Sequence, residues 1–171
     1  MDKEKISKFL LVFITLFMFW LLLVSSLRFD EIFVGIISSL IIAYVTYNLL
    51  IYGGVKDKLN PKKWFWAIIY FFYYWFYAEV KAHVDVIKRI LHPKMPIKPG
   101  IVKVPYTMQT DFGIVCVANS ITNTPGTVTI EVDESEKCYY VHWIWVVSPE
   151  PKICHEEIIS GFEKYVRRFL G

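Results

Sequence analysis

The sequence predicts a membrane α-helical hairpin followed by a small α+β C-terminal domain. Three observations predict it. Two long uncharged apolar runs stand near the start, Phe9 to Leu27 and Ile32 to Tyr52. Three prolines spaced three apart, Pro93, Pro96 and Pro99, then forbid a continuous helix. Beyond them, short segments switch between helical and alternating periodicity, as in a mixed domain. Composition agrees, since 55% of the 171 residues are hydrophobic and the mean hydropathy is +0.40. These values exclude disorder and argue against a purely soluble protein. The 6 Trp, 11 Tyr and 13 Phe are a loading suited to membrane interfaces.

The first run holds 19 residues and, at a rise of about 1.5 Å each, reaches about 28 Å, the hydrocarbon thickness. A signal peptide is the competing reading, but the run is long for one and Val24-Ser25-Ser26 is a poor cleavage site. The second run holds 21 residues and places Gly35, Ser38, Ser39 and Ala43 on one small-residue face suited to close helix packing. We expect that face to seat the hairpin laterally on a larger membrane complex. Only Arg28-Phe29-Asp30-Glu31 separates the runs, so residues 1–57 read as two antiparallel transmembrane helices. Lys3, Lys5 and Lys8 precede the first, and Lys56, Lys58, Lys62 and Lys63 follow the second. The positive-inside bias then puts both ends in the cytoplasm. Neither span carries an ionisable Asp, Glu, Lys, Arg or His, which makes the chain alone a poor transporter.

Residues 58–92 read as an aromatic amphipathic or partly inserted helix, opened by Asn60-Pro61. Its apolar part, Trp64 to Ala78, reaches only about 22 Å, short for a crossing. Tyr70, Tyr73, Tyr74 and Tyr77 recur along one stripe with Lys81, Asp85 and Lys88. An interfacial position is favoured, with a third span to about Val84 as the rival. Residues 93–105 read as a Pro-rich basic linker and first strand, and residues 106–171 as a small cytoplasmic α+β domain. Within it, Thr110-Asp111 caps a helix that ends before Thr124-Pro125-Gly126. A hairpin of Thr127 to Val132 with Cys138 to Val147 follows, and Ile158, Ile159, Phe162, Tyr165, Val166 and Phe169 mark a terminal helix. About 66 residues is marginal for independent stability, so this domain is expected to pack against something.

Charge is unevenly placed. Residues 56–105 carry ten Lys/Arg against three acids, whereas residues 106–171 carry five against nine. Beside long apolar runs, the basic band suits anionic lipid or a membrane partner, and nucleic acid is not expected. Cys116, Cys138 and Cys154 have no C-x-x-C spacing, and Cys154 beside His155 lacks a second pair, so no metal is expected. No nucleophile, phosphate or zinc-protease motif is present, so no catalytic residue, enzyme activity or cofactor is assigned.

One segment is specific. Ala118-Asn119-Ser120-Ile121-Thr122-Asn123-Thr124-Pro125-Gly126-Thr127 is followed by a strand and Val141-His142. It resembles the "ANSIT-x-TPGT" segment and later V-H of the MnhE/MrpE family, the E-type subunits of multisubunit Mrp-type Na+/H+ antiporters. The order of elements is similar over essentially the whole chain. Related subunits occur in the antiporter-like modules of membrane-bound hydrogenase complexes. The resemblance implies a non-catalytic accessory or assembly subunit whose partners are other membrane subunits of such a complex, and the lipid bilayer. The alternative is a membrane-anchored scaffold that binds anionic lipid through the basic band, without a transport role. The motif hydroxyls and amides have two readings, a docking or ion-sensing loop, or local hydrogen bonds that cap a helix and close a turn. The second is favoured, because Ser, Thr and Asn beside Pro-Gly serve local backbone. Gly126 is expected at positive φ, and His142 is expected to be a buried, hydrogen-bonded histidine on the side of Tyr140 and Ile144.

Overall fold

The computed structural model describes residues 3–51, 55 and 59–171. Tyr52, Lys56 and Lys58, and the boundary expected at residue 57, lie outside them. The chain forms two compact units, one through Asn60 and one from Pro61 to Gly171.

In the first unit, α1 (Lys3–Val24) and α2 (Phe29–Leu50) are long and apolar enough to cross a membrane. Ser25, at φ 52°, ends α1, and the indole N–H of Trp20 donates to the Glu31 carbonyl (3.0 Å) across the turn. Gly35 is buried beneath that indole; a Cβ there would collide with the Trp20 ring. Ser39 and Ala43 are buried one and two turns further along, with Val12 and Phe9 of α1 in the same apolar cluster as Ala43. The small-residue face therefore closes the hairpin on itself and is not free to seat a larger complex. Ser38, half-buried, turns its hydroxyl back to the Val34 carbonyl (2.8 Å). What remains outside is largely apolar, with Leu22, Phe29, Tyr44 and Leu49 all largely exposed.

The second unit begins with one helical rod in three parts: α3 (Pro61–Tyr73), a π-helical turn (Tyr74–Ala78) and α4 (Glu79–Leu91). After β1 (Gly100–Pro105) come α5 (Asp111–Asn123), β2 (Thr127–Asp133) and β3 (Cys138–Trp143). The chain ends with α6 (Pro151–Cys154), a second π turn (His155–Ile159) and α7 (Ser160–Leu170). The sheet is antiparallel in the order β1-β3-β2, with a bulge in β2 between Thr129 and Glu131. Its inner face contributes Val102, Val104, Tyr139 and Val141 to a core completed by Val117 and Ile121 of α5 and by Ile159, Phe162 and Val166. β3 is central, which explains its apolar run.

Two segments gain contacts that periodicity alone leaves open. Three of the four tyrosines of the stripe face inward, and Tyr77 stays exposed: Tyr73 stacks near Tyr165 (4.6 Å between centroids) and Tyr70 near Phe169 (5.6 Å). Trp64, Ile68, Phe71, Phe72, Trp75 and Phe76 point out instead. The C-terminal domain thus finds its packing partner in its own preceding helix. The proline segment is not a free tether either. Lys98 N–H donates to the Ile144 carbonyl (3.0 Å) and Val146 N–H to that of Lys98 (2.9 Å), which ends β3 earlier than its apolar run suggests. Arg89 stacks over Trp145 at 4.6 Å and donates to the Pro96 carbonyl (3.1 Å).

Candidate functional site

The motif lies at the end of α5 and in the turn to β2. A helix leaves its last four carbonyls without intrahelical partners, and here hydroxyls serve two of them, those of Ser120 and Ile121. Thr124 Oγ1 donates to the Ser120 carbonyl (2.5 Å), Thr127 Oγ1 to that of Ile121 (2.8 Å) and Thr129 Oγ1 to that of Ala118 (3.1 Å). Thr122 Oγ1 also donates to Ala118 and accepts from Thr129 N–H (3.2 Å), tying helix to strand. Pro125 has no N–H to satisfy, and Gly126 takes φ +95°, where its carbonyl accepts from Ile144 N–H (2.9 Å). The other end is capped by Thr110, whose Oγ1 accepts from Gly113 N–H (3.2 Å).

A line of polar contacts joins this motif to the helical rod. Buried Ser120 donates to the Cys116 carbonyl (2.8 Å) and shares a hydrogen bond with the Tyr70 hydroxyl. The π turn sets Tyr74 and Glu79 on the same side, with Glu79 N–H donating to the Tyr74 carbonyl, and the Tyr74 hydroxyl donates to the buried Glu79 carboxylate. His83 Nδ1 stands 3.3 Å from that carboxylate. Asn119 and Asn123 are exposed, as is Thr122, and the two asparagines line an open cleft of about 430 Å³ with Tyr70, Tyr74, Phe112 and Val115.

His142 is exposed, not buried. It shares the side of Tyr140 as expected, but helices cover only the other face of the sheet, where Tyr139 and Val141 point. Its register neighbours, Ile101 and Val128, are exposed as well. Cys154 and His155 diverge: Cys154 Sγ donates to the Ser148 carbonyl (3.2 Å), whereas His155 Nδ1 meets the Pro105 carbonyl (2.8 Å). Burial pushes the Cys138 and Cys154 thiols up, and that of Cys116 too, partly opposed by a hydrogen bond from Tyr70. Burial likewise raises the Tyr139 phenol, whose hydroxyl donates to the Ile114 carbonyl (3.0 Å).

Two buried carboxylates escape a reading of the sequence. Glu163 accepts from Thr107 N–H and Oγ1 (2.7 Å each), with Arg167 at 3.4 Å and His155 Nε2 at 3.9 Å. Its position one residue after Phe162 and three before Val166 on an amphipathic helix is the available signal. Glu79 has none, because the π turn that aligns it with Tyr74 is invisible to a regular helical period. Among the described residues, one group has metal-ligand spacing: oxygens of Asp133 and Glu136 and the Cys138 sulfur lie within 4.8 Å of one another. Lys103 pairs with Glu136, and Asp133 accepts from Ser135 and Glu136 to close the β2–β3 turn, which accounts for both acids.

The arrangement closes a helix and a turn through local hydrogen bonds. Comparison with known proteins gives it a family. The Na+/H+ ion antiporter subunit family, MNHE, matches residues 13–169. The E-type Na+/H+ antiporter subunit of Alkalihalophilus pseudofirmus is 31% identical over 147 residues, 86% of this chain and 88% of the relative. The E1-type Na+/H+ antiporter subunit of Staphylococcus haemolyticus is 31% identical over 166 residues, 95% of this chain and 94% of the relative. A chain in the structure of the membrane-bound sulfane sulfur reductase, an archaeal respiratory membrane complex, superposes with a TM-score of 0.80 at 39% identity, covering 96% of this chain and 99% of that one. Hairpin, sheet and motif alike fall within these matches, and the chain belongs to the Na+/H+ ion antiporter subunit (MNHE) family.

Proposed function

We propose that this chain is a non-catalytic accessory subunit of a multisubunit monovalent cation/proton antiporter, or of the antiporter-like part of a related respiratory membrane complex. The observation that carries the reading is the division of labour in the motif, whose hydroxyls are taken up in closing α5 and entering β2. Similarity along nearly the whole chain to subunits of such assemblies supports it. The identity to the sulfane sulfur reductase chain, 39%, exceeds the 31% to the antiporter subunits and favours the respiratory setting. The hydrogenase setting is a variant of the same reading. A lipid scaffold without a transport role finds no support among these relatives.

In this reading the hairpin is multi-pass in the cell membrane, with the N-terminus and the unit from Pro61 onward on the cytoplasmic side, as the lysines flanking the spans favour. The test is deletion of the gene in its own complex, with native-gel assembly and cation/proton exchange in inverted vesicles measured on the same preparation. We expect the assembled complex and the exchange to fall together and to return together on complementation. Full assembly with exchange abolished would overturn the accessory role and assign this chain a part in translocation.

A further inference from the structure

The two sides of α3 with the π turn that continues it have different owners. One side is taken by the unit's own core, where Tyr70, Tyr73 and Tyr74 meet Phe162, Tyr165 and Phe169 of α7 and Ser120 of α5. The other presents Trp64, Ile68, Phe71, Phe72, Trp75 and Phe76, each more than half exposed. No charge interrupts the sequence from Trp64 to Ala78. An apolar face this continuous requires cover.

A crossing helix would find that cover in lipid, but α3 cannot cross without its neighbour. Along its inner side runs α7, with exposed Lys164, Arg167 and Arg168, and with Arg168 held 4.1 Å over the Trp66 ring. Insertion of α3 end to end would draw those cations into hydrocarbon, where charged side chains are strongly disfavoured. We propose that α3 lies in the membrane plane and sinks its outer Trp/Phe face into the headgroup–acyl boundary of a leaflet containing anionic phospholipid. The proposal rests on reading α1 and α2 as spans.

Chain continuity and charge select lipid as the occupant. Ten residues separate Leu50, at the end of the second span, from Pro61, the start of α3, so the helix begins within reach of the bilayer surface. Residues 56–105 carry ten Lys/Arg against three acids, with Lys81, Lys88, Lys94 and Lys98 exposed, matching an anionic surface. Interfacial helices usually carry their own charged face. Here the folded unit beneath α3 supplies the polar side, which explains why the helix is aromatic nearly all round.

The test uses the full chain, spin-labelled one site at a time in a Cys116→Ser background, at Ile68→Cys, Phe72→Cys and Phe76→Cys. Ile41→Cys in α2 and Glu134→Cys in the β2–β3 turn are the lipid and water references. Collision with oxygen and with a water-soluble nickel chelate is measured in phosphatidylcholine vesicles with and without phosphatidylglycerol, and again in nanodiscs holding the assembled complex. We expect an oxygen-to-nickel ratio at the three α3 sites several-fold above that at Glu134, rising when phosphatidylglycerol is included. Nickel access equal to that at Glu134, while Ile41 stays in lipid, would overturn the proposal alone. Exclusion of both reagents in the assembled complex would overturn it in favour of a partner subunit. A water-exposed Ile41 would overturn the hairpin reading and the proposal with it.

Discussion

Gly126→Val perturbs the motif where its geometry is most demanding. At φ +95° an L-residue is strained, and β-branched valine is among the least tolerant. A Cβ there would lie 3.1 Å from Ile144 Cγ2 and 3.5 Å from Val86 Cγ2, so the valine methyls meet β3's extension on one side and α4 on the other. Backbone strain of this kind costs about 1–3 kcal/mol. If the turn relaxes to escape it, the Ile144 N–H to Gly126 carbonyl bond (2.9 Å) is lost, about another 0.5–1.5 kcal/mol. The total is at most the sum of the two, about 1.5–4.5 kcal/mol, against the unit from Pro61 to Gly171. Urea unfolding of the full chain in micelles measures it, followed by near-ultraviolet circular dichroism with Trp143 and Trp145 as adjacent reporters. Gly126→Asn, which tolerates the left-handed region, should lose less than half as much. A valine variant within about 0.5 kcal/mol of the parent, the usual range of a neutral surface change, would refute the argument.

Three further outcomes follow from other parts of the molecule. Gly35→Leu should splay the hairpin, because its side chain must displace the Trp20 indole; intramolecular cross-linking between cysteines placed at Val12 and Ala43 should then fail, while Ile41→Leu on the exposed side leaves it intact. Cys138 and Cys154 should resist a water-soluble maleimide until denaturant is added, with Cys116 reacting slowly, since burial raises all three thiol pKa values and lowers the thiolate fraction at a given pH; rapid labelling of Cys138 in the folded chain would contradict the core described above. Asp133 is held below the usual carboxylate range, first by the Ser135 hydroxyl and then by Glu136 N–H, so its stabilising effect is present above the unfolded pKa and is lost as pH falls through the folded one; Asp133→Asn should flatten that part of the acid-unfolding curve, and an unchanged curve would dismiss the contribution.

Local chemistry makes much of this fold legible. Thr110 as a cap and Thr124-Pro125-Gly126 as a stop bracket α5, observed as Asp111–Asn123, because both signals act within a few residues of the helix they bound. The positive φ of Gly126 is legible for the same reason. Legibility fails where a side chain's environment depends on which distant element covers it. Alternation puts His142 on the correct side of β3, but nothing in Cys138 to Trp143 says that both covering helices lie on the opposite side. Gly35, Ser39 and Ala43 do form a packing face, yet a stripe of small residues does not name its partner, and α1 is the nearest one.

The helical rod shows why counting periods fails even when the period is right. Every face of Trp64 to Ala78 is apolar or aromatic, so amphipathicity cannot separate the side that meets the core from the side that meets the surroundings. Hydroxyls suggest water, and on that ground alone the tyrosines would form the outer stripe. Tyr70 and Tyr74 turn inward because the motif offers a partner there, Ser120 for Tyr70, and because Glu79 accepts from Tyr74. That second contact needs the π turn: five residues apart on an α-helix, side chains diverge by about 140°, and the wider turn brings Tyr74 and Glu79 together. Across the turn Tyr73, Tyr77, Lys81 and Asp85 still line one cleft, whereas Tyr70 and Tyr74 line another. The π turn persists because a carboxylate buried at that point would otherwise lack its tyrosine donor, a reason that lies in the folded unit and in no window of the sequence.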